Sequence, residues 1–196
     1  MTAYDIGKAV CSAVLRVWRL RASGTANVPL DGPLIIACNH ASYLDPPALG
    51  VACPRPIRYM AKAELFAIPL LGSMISAFGT YPVDRHRSAT AAIKRSVEIL
   101  RAGGCIGIFP EGTRNASGSA TAREGVALLA SLGKAPVVPA YIAGSDRARR
   151  LHQIKVAFGP ALRFPGDRKA SRDSLAKFTE QIMGEIHSLA ESIDGN

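Results

Sequence analysis

Short apolar runs punctuate the chain: Leu34–Cys38, Ile57–Met60, Thr80–Val83, Cys105–Phe109, Val137–Ile142, Ile154–Phe158 and a weaker one at Ala161–Phe164. Runs of this length between turn-forming residues predict buried strands. Between several of them, apolar side chains recur at steps of three or four. Ser88 is placed to cap a helix with Ile93, Val97 and Leu100 on its inner face, stopped by Gly103-Gly104. A second helix is predicted from about Ala122 to Leu132, ending at Gly133. A third begins after Ser171 and lines up Leu175, Phe178, Ile182, Ile186, Leu189 and Ile193. Strands alternating with helices predict an α/β fold, a largely parallel or mixed central sheet of about six or seven strands flanked by helices. No repeat, low-complexity tract or linker divides residues 23–196, which read as one domain behind an N-terminal helix at 1–22.

Within residues 1–22, helical spacing collects Ile6, Val10, Ala13, Val14, Val17 and Leu20 on one broad face, with Trp18 at its margin. Asp5, Lys8, Ser12, Arg16 and Arg19 fall opposite. A cationic face and an apolar face with Trp describe a helix suited to a membrane interface; an amphipathic helix packed on its own domain has the same pattern. The order of a signal peptide is absent. The uncharged stretch from Leu65 to Val83 approaches membrane-spanning length, but Pro69, Gly72, Gly79 and Pro82 interrupt it. A helix near Ile68–Phe78 leading into the strand at Thr80–Val83 accounts for it better.

Composition sharpens this picture. Apolar residues make up 48% of the 196-residue chain and charged ones 20%, which excludes a disordered tail. Cys11, Cys38, Cys53 and Cys105 are scattered, without the spacing of a disulfide scaffold or zinc site, and they fit a reducing compartment. The net charge is +9, and residues 172–194 are net acidic, so the body is more basic than the total. Such a surface attracts nucleic acid, anionic lipid or phosphorylated substrates alike. No helix-turn-helix, RNA-binding signature or aromatic-flanked basic stripe favours nucleic acid.

In α/β folds ligands bind beyond the carboxyl ends of the strands. After Leu34–Cys38 comes Asn39-His40-Ala41-Ser42-Tyr43-Leu44-Asp45-Pro46. His40 and Asp45 have the spacing of a base and its orienter, and an unperturbed imidazole titrates near ~6.5, suited to a general base. Asp45-Pro46 equally describes a helix start, with His40 a polar loop residue. After Cys105–Phe109 comes Pro110-Glu111-Gly112-Thr113-Arg114, which reads as an anion cradle with Arg114 on a phosphate, or as a solvated turn. Asp84-Arg85-His86-Arg87 follows Thr80–Val83, as a cation site or a salt-bridged turn; Lys62 follows Ile57–Met60. If these strands are neighbours, a base and three cations converge.

Asn39-His40-x4-Asp45 and Phe109-Pro110-Glu111-Gly112-Thr113-Arg114 resemble the first and third motifs of the glycerolipid acyltransferases, which include the 1-acylglycerol-3-phosphate acyltransferases. Tyr81-Pro82-Val83-Asp84-Arg85 is similar to the second motif and Val138-Pro139-Ala140 to the fourth. Ala61-Lys62-Ala63-Glu64-Leu65-Phe66 resembles a segment the family carries between its first two motifs. The likeness runs in order over roughly residues 25–165. It departs from the family at Pro82 and at Arg123-Glu124-Gly125, where Lys is usual in place of Arg123.

The resemblance implies direct attack of a glycerol hydroxyl on an acyl thioester, without an acyl-enzyme. His40 would be the base and Asp45 its orienter. Asn39, Lys62, Arg85, Glu111, Gly112, Thr113 and Arg114 would bind substrate, the cations holding the acceptor phosphate. The implied acceptor is 1-acylglycerol-3-phosphate, giving phosphatidic acid, and the donor acyl-CoA or an acyl carrier protein thioester, with no metal and no cofactor. The implied setting is peripheral, at the membrane surface on the cytoplasmic face. A transacylase or an enzyme for another lysophospholipid shares these motifs. A non-catalytic binder of anionic lipid belongs to a different class. The chain lacks a GxSxG elbow and a P-loop, which argues against a serine hydrolase and a nucleotide site.

Overall fold

A computed structural model describes residues 2–69, 72, 75, 76, 79–83, 89–111, 124–165 and 170–194. Among these, seven strands form one mixed sheet: β1 (Arg21–Ser23), β2 (Leu34–Cys38), β3 (Arg58–Lys62), β4 (Tyr81–Val83), β5 (Cys105–Ile108), β6 (Val137–Ala143) and β7 (Lys155–Phe158). Their order is β1-β7-β6-β2-β5-β3-β4. All neighbouring pairs are parallel except β6 and β7. The expected α/β architecture is therefore present, with β1 and β7 running against the other five. The run at Ala161–Phe164 contributes only an isolated bridge, between Leu162 and Val137. β1 has no apolar run to announce it: its residues are exposed at the sheet edge, and pairing with β7 makes it a strand.

Strand alternation divides the core into two faces. Ile35, Ala37, Ile106, Ile108 and Val137 meet helices α3 (Ala89–Arg101), α4 (Gly125–Gly133) and α5 (Arg172–Asp194). Val97, Leu100, Phe178, Ile182 and Ile186, all expected on inner helix faces, are buried there. Leu34, Ile36, Cys38, Val138, Ala140 and Ile142 face the other side, with α1 (Ala3–Leu15) and α2 (Asp45–Ala52). Each fully buried Leu or Ile contributes roughly 1.5–3 kcal/mol, so both faces add to stability. The helix expected near Ile68–Phe78 lies largely outside the described residues.

α1 packs by a face that periodicity alone does not select. Cys11 and Leu15 are buried, the Tyr4 hydroxyl accepts a 3.2 Å hydrogen bond from the Ile57 amide, and Lys8 Nζ donates to the Cys53 carbonyl at 2.7 Å. Cys53 closes the carboxyl end of α2, where a lysine also suits the helix dipole. The strongly apolar row of Ile6, Val10, Val14 and, just beyond the helix, Val17 instead faces outward. The boundary expected after residue 22 falls inside β1, which ties the N-terminal segment into the sheet.

Candidate active site

β2 ends at Cys38, paired with Ala140 of β6. Continued in register, residue 40 would oppose Ile142. The Asn39 side chain takes that place: its Oδ1 accepts from the Ile142 amide at 2.8 Å, and its Nδ2 donates to the Ile142 carbonyl at 3.0 Å. A side-chain amide thus replaces one ladder step and releases His40 from the sheet. Asn39, expected to bind substrate, is a positioning residue in this geometry, because both ends of its amide are engaged with β6.

The loop then turns back onto Asp45, the first residue of α2, with Pro46 and Pro47 behind it. Asp45 does not cap its own helix. Its Oδ2 accepts the Ala41 and Ser42 amides, each at 2.7 Å, and meets His40 Nδ1 at 2.9 Å. A carboxylate only accepts, so its place opposite Nδ1 favours the tautomer with hydrogen on Nδ1 and a lone pair on Nε2. The Asp45 side chain is wholly buried, whereas that of His40 retains 17% exposure. Asp45 is thus the first residue of α2 by its backbone, but its side chain serves the His40 loop and not the helix cap, which falls at Leu44.

The imidazole has a second support. Its ring stacks on Phe109, with centroids 4.2 Å apart and planes 23° from parallel, and Phe109 faces Tyr59 at 6.2 Å and 9°. The Tyr59 hydroxyl, pushed well above its usual range by burial, donates to the Pro46 carbonyl at 3.0 Å. The stack therefore runs from β3 through the end of β5 to His40, and its far end is tied to the start of α2. Periodicity marks Tyr59 and Phe109 only as core; their stacking order is set by strand register.

Gly107 makes room for this stack. It pairs with Tyr59 on β3 and with Ile36 on β2. A Cβ there would press on Tyr59 Cε1, lie 2.7 Å from Tyr59 Cδ1 and 2.9 Å from Ile57 Cγ2. Gly107→Ala is expected to lower stability by roughly 1–3 kcal/mol through overpacking. It should also lower turnover at a temperature where the variant is folded, because the displaced ring sits behind Phe109. Thermal unfolding and rate measurements check both; wild-type values would mean that the ring has space to shift.

Glu111 is half-buried in the turn after β5. Burial pushes the Cys38 thiol well up, and the nearby charges of Asp45 and Glu111 push it further, so both carboxylates lie close to the floor of the site. Lys62 is the last residue of β3. Arg85, Gly112, Thr113 and Arg114 lie outside the described residues. The strands preceding His40, Glu111, Lys62 and Arg85 are β2, β5, β3 and β4, consecutive and parallel in the sheet, so their carboxyl ends share one edge. Among the described residues, no group of three or more His, Cys, Asp and Glu side chains is placed to hold a metal ion.

Comparison with known proteins identifies the family. The sequence model of the family described as Acyltransferase matches residues 19–143. A 1-acyl-sn-glycerol-3-phosphate acyltransferase of Bacillus subtilis is 35% identical over 173 residues, covering 86% of this chain and 86% of that protein. A chloroplastic protein of the same description from Arabidopsis thaliana is 30% identical over 66% of this chain, which spans 37% of that longer relative. The crystal structure of the 1-acyl-sn-glycerophosphate acyltransferase PlsC from Thermotoga maritima superposes with a TM-score of 0.68 at 20% identity, covering 93% of this chain and 81% of that one. At that identity the likeness speaks to the fold.

Proposed function

This chain belongs to the acyltransferase family, and from that premise we propose that it acylates the sn-2 hydroxyl of 1-acylglycerol-3-phosphate, giving phosphatidic acid. The observation that carries the reading is the His40–Asp45 contact at 2.9 Å, which engages Nδ1 and supports Nε2 as the base. Nε2 takes the hydroxyl proton as the oxygen attacks the thioester carbonyl. The tetrahedral intermediate collapses with cleavage of the carbon–sulfur bond, and the proton passes from Nε2 to the departing thiolate. Holding both reactants against a stacked, hydrogen-bonded imidazole can supply several kcal/mol of the barrier, ~7 or more in favourable cases. The donor is acyl-CoA or an acyl carrier protein thioester. Arg85 and Arg114, with Lys62, hold the acceptor phosphate, and Glu111, Gly112 and Thr113 shape that pocket. No step requires a metal.

The proposed setting is the cytoplasmic face of the cell membrane, reached peripherally. Among the described residues no helix is long and apolar enough to cross a bilayer. The outward row Ile6, Val10 and Val14 of α1 supports contact with an interface instead.

The test supplies purified protein with acyl-CoA or acyl carrier protein thioester and a panel of lyso-lipids, following free thiol. Acylation of 1-acylglycerol-3-phosphate well above phosphate-free acceptors is expected. Activity confined to phosphate-free acceptors would leave the acyltransferase assignment standing and remove this substrate. Arg114→Ala should raise the KM for the phosphate-bearing acceptor at least tenfold while changing that for the thioester little, as expected for loss of a charge-assisted hydrogen bond. Equal effects on both substrates would remove Arg114 from the phosphate site.

A further inference from the structure

The basic run Arg147-Ala148-Arg149-Arg150 lies far in sequence from the N-terminal helix but directly against its end. Two short 3-10 turns, Arg16–Trp18 and Ala148–Arg150, are clamped together. The Trp18 indole Nε1 donates to the Ala148 carbonyl at 2.7 Å, the Ile154 amide to the Trp18 carbonyl at 3.0 Å, and Gln153 Nε2 to the Arg19 carbonyl at 3.1 Å. Arg16, Arg19, Arg147, Arg149 and Arg150 are all exposed around this clamp. Asp146, also exposed, makes a 3.8 Å contact with Arg147 Nε.

Apolar side chains stand among these charges. Val17 is 58% exposed and Leu151 62%, and the row of Ile6, Val10 and Val14 leads up to them. Leu151 also closes its turn with φ 53, in the left-handed region. A branched, bulky residue is disfavoured there, where Gly or Asn would sit more easily. The turn accounts for the backbone conformation, while most of the leucine side chain stays outside the core.

Sheet direction places the clamp. Arg147–Leu151 follows the carboxyl end of β6, as His40 follows that of the parallel β2. Trp18 precedes β1, which runs opposite to β6, so both turns lie at the same end of the sheet as His40. We propose that the clamped turns and the outer row of α1 form one continuous bilayer-contact surface, its arginines on the phosphates of anionic lipids and Val17 and Leu151 entering below them. This rests on the lipid-acceptor reading above and adds its second docking element. Cations interleaved with exposed apolar side chains match an anionic leaflet, whereas a purely polar partner would leave Val17 and Leu151 unused.

The test measures co-sedimentation with vesicles of phosphatidylcholine alone and with phosphatidylglycerol added, alongside turnover on detergent-dispersed acceptor. The triple variant Arg147→Gln, Arg149→Gln, Arg150→Gln should lose about a hundredfold in partitioning onto the anionic vesicles, from roughly fivefold per charge. Its turnover on dispersed acceptor should match wild type. Replacing the same three residues with Lys should restore partitioning. Leu151→Asn separates a structural role from a docking role: Tm should hold or rise as backbone strain is relieved, while vesicle binding falls several-fold. Wild-type partitioning of the Gln variant would overturn the surface. So would unchanged vesicle binding with lost turnover on a carrier-protein thioester, which would make the patch a dock for an acidic protein. If the wild type bound vesicles in this pattern but acylated no lyso-lipid, only the substrate reading would fail.

Discussion

His40→Ala is expected to reduce thioester-dependent acylation by about 10³-fold or more while leaving the fold intact, the effect of removing a positioned general base. The side chain is partly exposed, and its removal leaves Asp45 Oδ2 with the Ala41 and Ser42 amides, so the loop keeps two of its three anchors. Circular dichroism and thermal unfolding should therefore resemble wild type while thiol release disappears. Substantial turnover by a properly folded His40→Ala protein would falsify the general-base mechanism. His40→Gln should be equally inactive, since an amide can occupy the space over Phe109 but cannot cycle a proton.

Asp45→Asn should lower turnover by about 10²–10⁴-fold, the range for losing the partner that sets a catalytic histidine's tautomer and stabilises its protonated form. Unlike His40→Ala, it should also cost stability, roughly 1–3 kcal/mol, because two backbone amides lose a charged acceptor inside the protein. The new NH2 group occupies the position of Asp45 Oδ1, a buried atom without a hydrogen-bond partner among the described residues. The pair of variants thus differs in kind: one removes chemistry alone, the other chemistry and scaffold. A stable, fully active Asp45→Asn protein would show that the backbone amides, without the carboxylate charge, suffice to present Nε2.

Much of this site is readable along the chain. The His-x4-Asp spacing becomes a contact because a five-residue step leaves the strand, turns, and enters a helix whose first residue is Asp45. Glu111 and Lys62 stand at strand ends as the apolar runs predict. Asn39 is different. Its neighbours suggest a ligand-binding amide, but the register of β2 against β6 brings Ile142 alongside, and the amide completes a ladder there. The stack from Tyr59 through Phe109 to His40 is equally silent in one dimension, since it joins residues of three segments. Gly107 reads as a strand-weakening glycine until Tyr59 is placed across from it.

The N-terminal helix marks the same division. Its apolar row was legible. Which face turns inward was not: Tyr4, Lys8, Cys11 and Leu15 win because α2 and the Cys53–Ile57 segment offer them hydrogen bonds and a fitted surface. The amino-acid sequence by itself marked six of the seven strands, the inner faces of the later helices and the His40–Asp45 spacing, because these depend on periods within single segments. Only the tertiary structure decided strand order, the backing of His40 and the joining of Trp18 to Ala148. Those depend on register between segments distant along the chain, which no local period encodes.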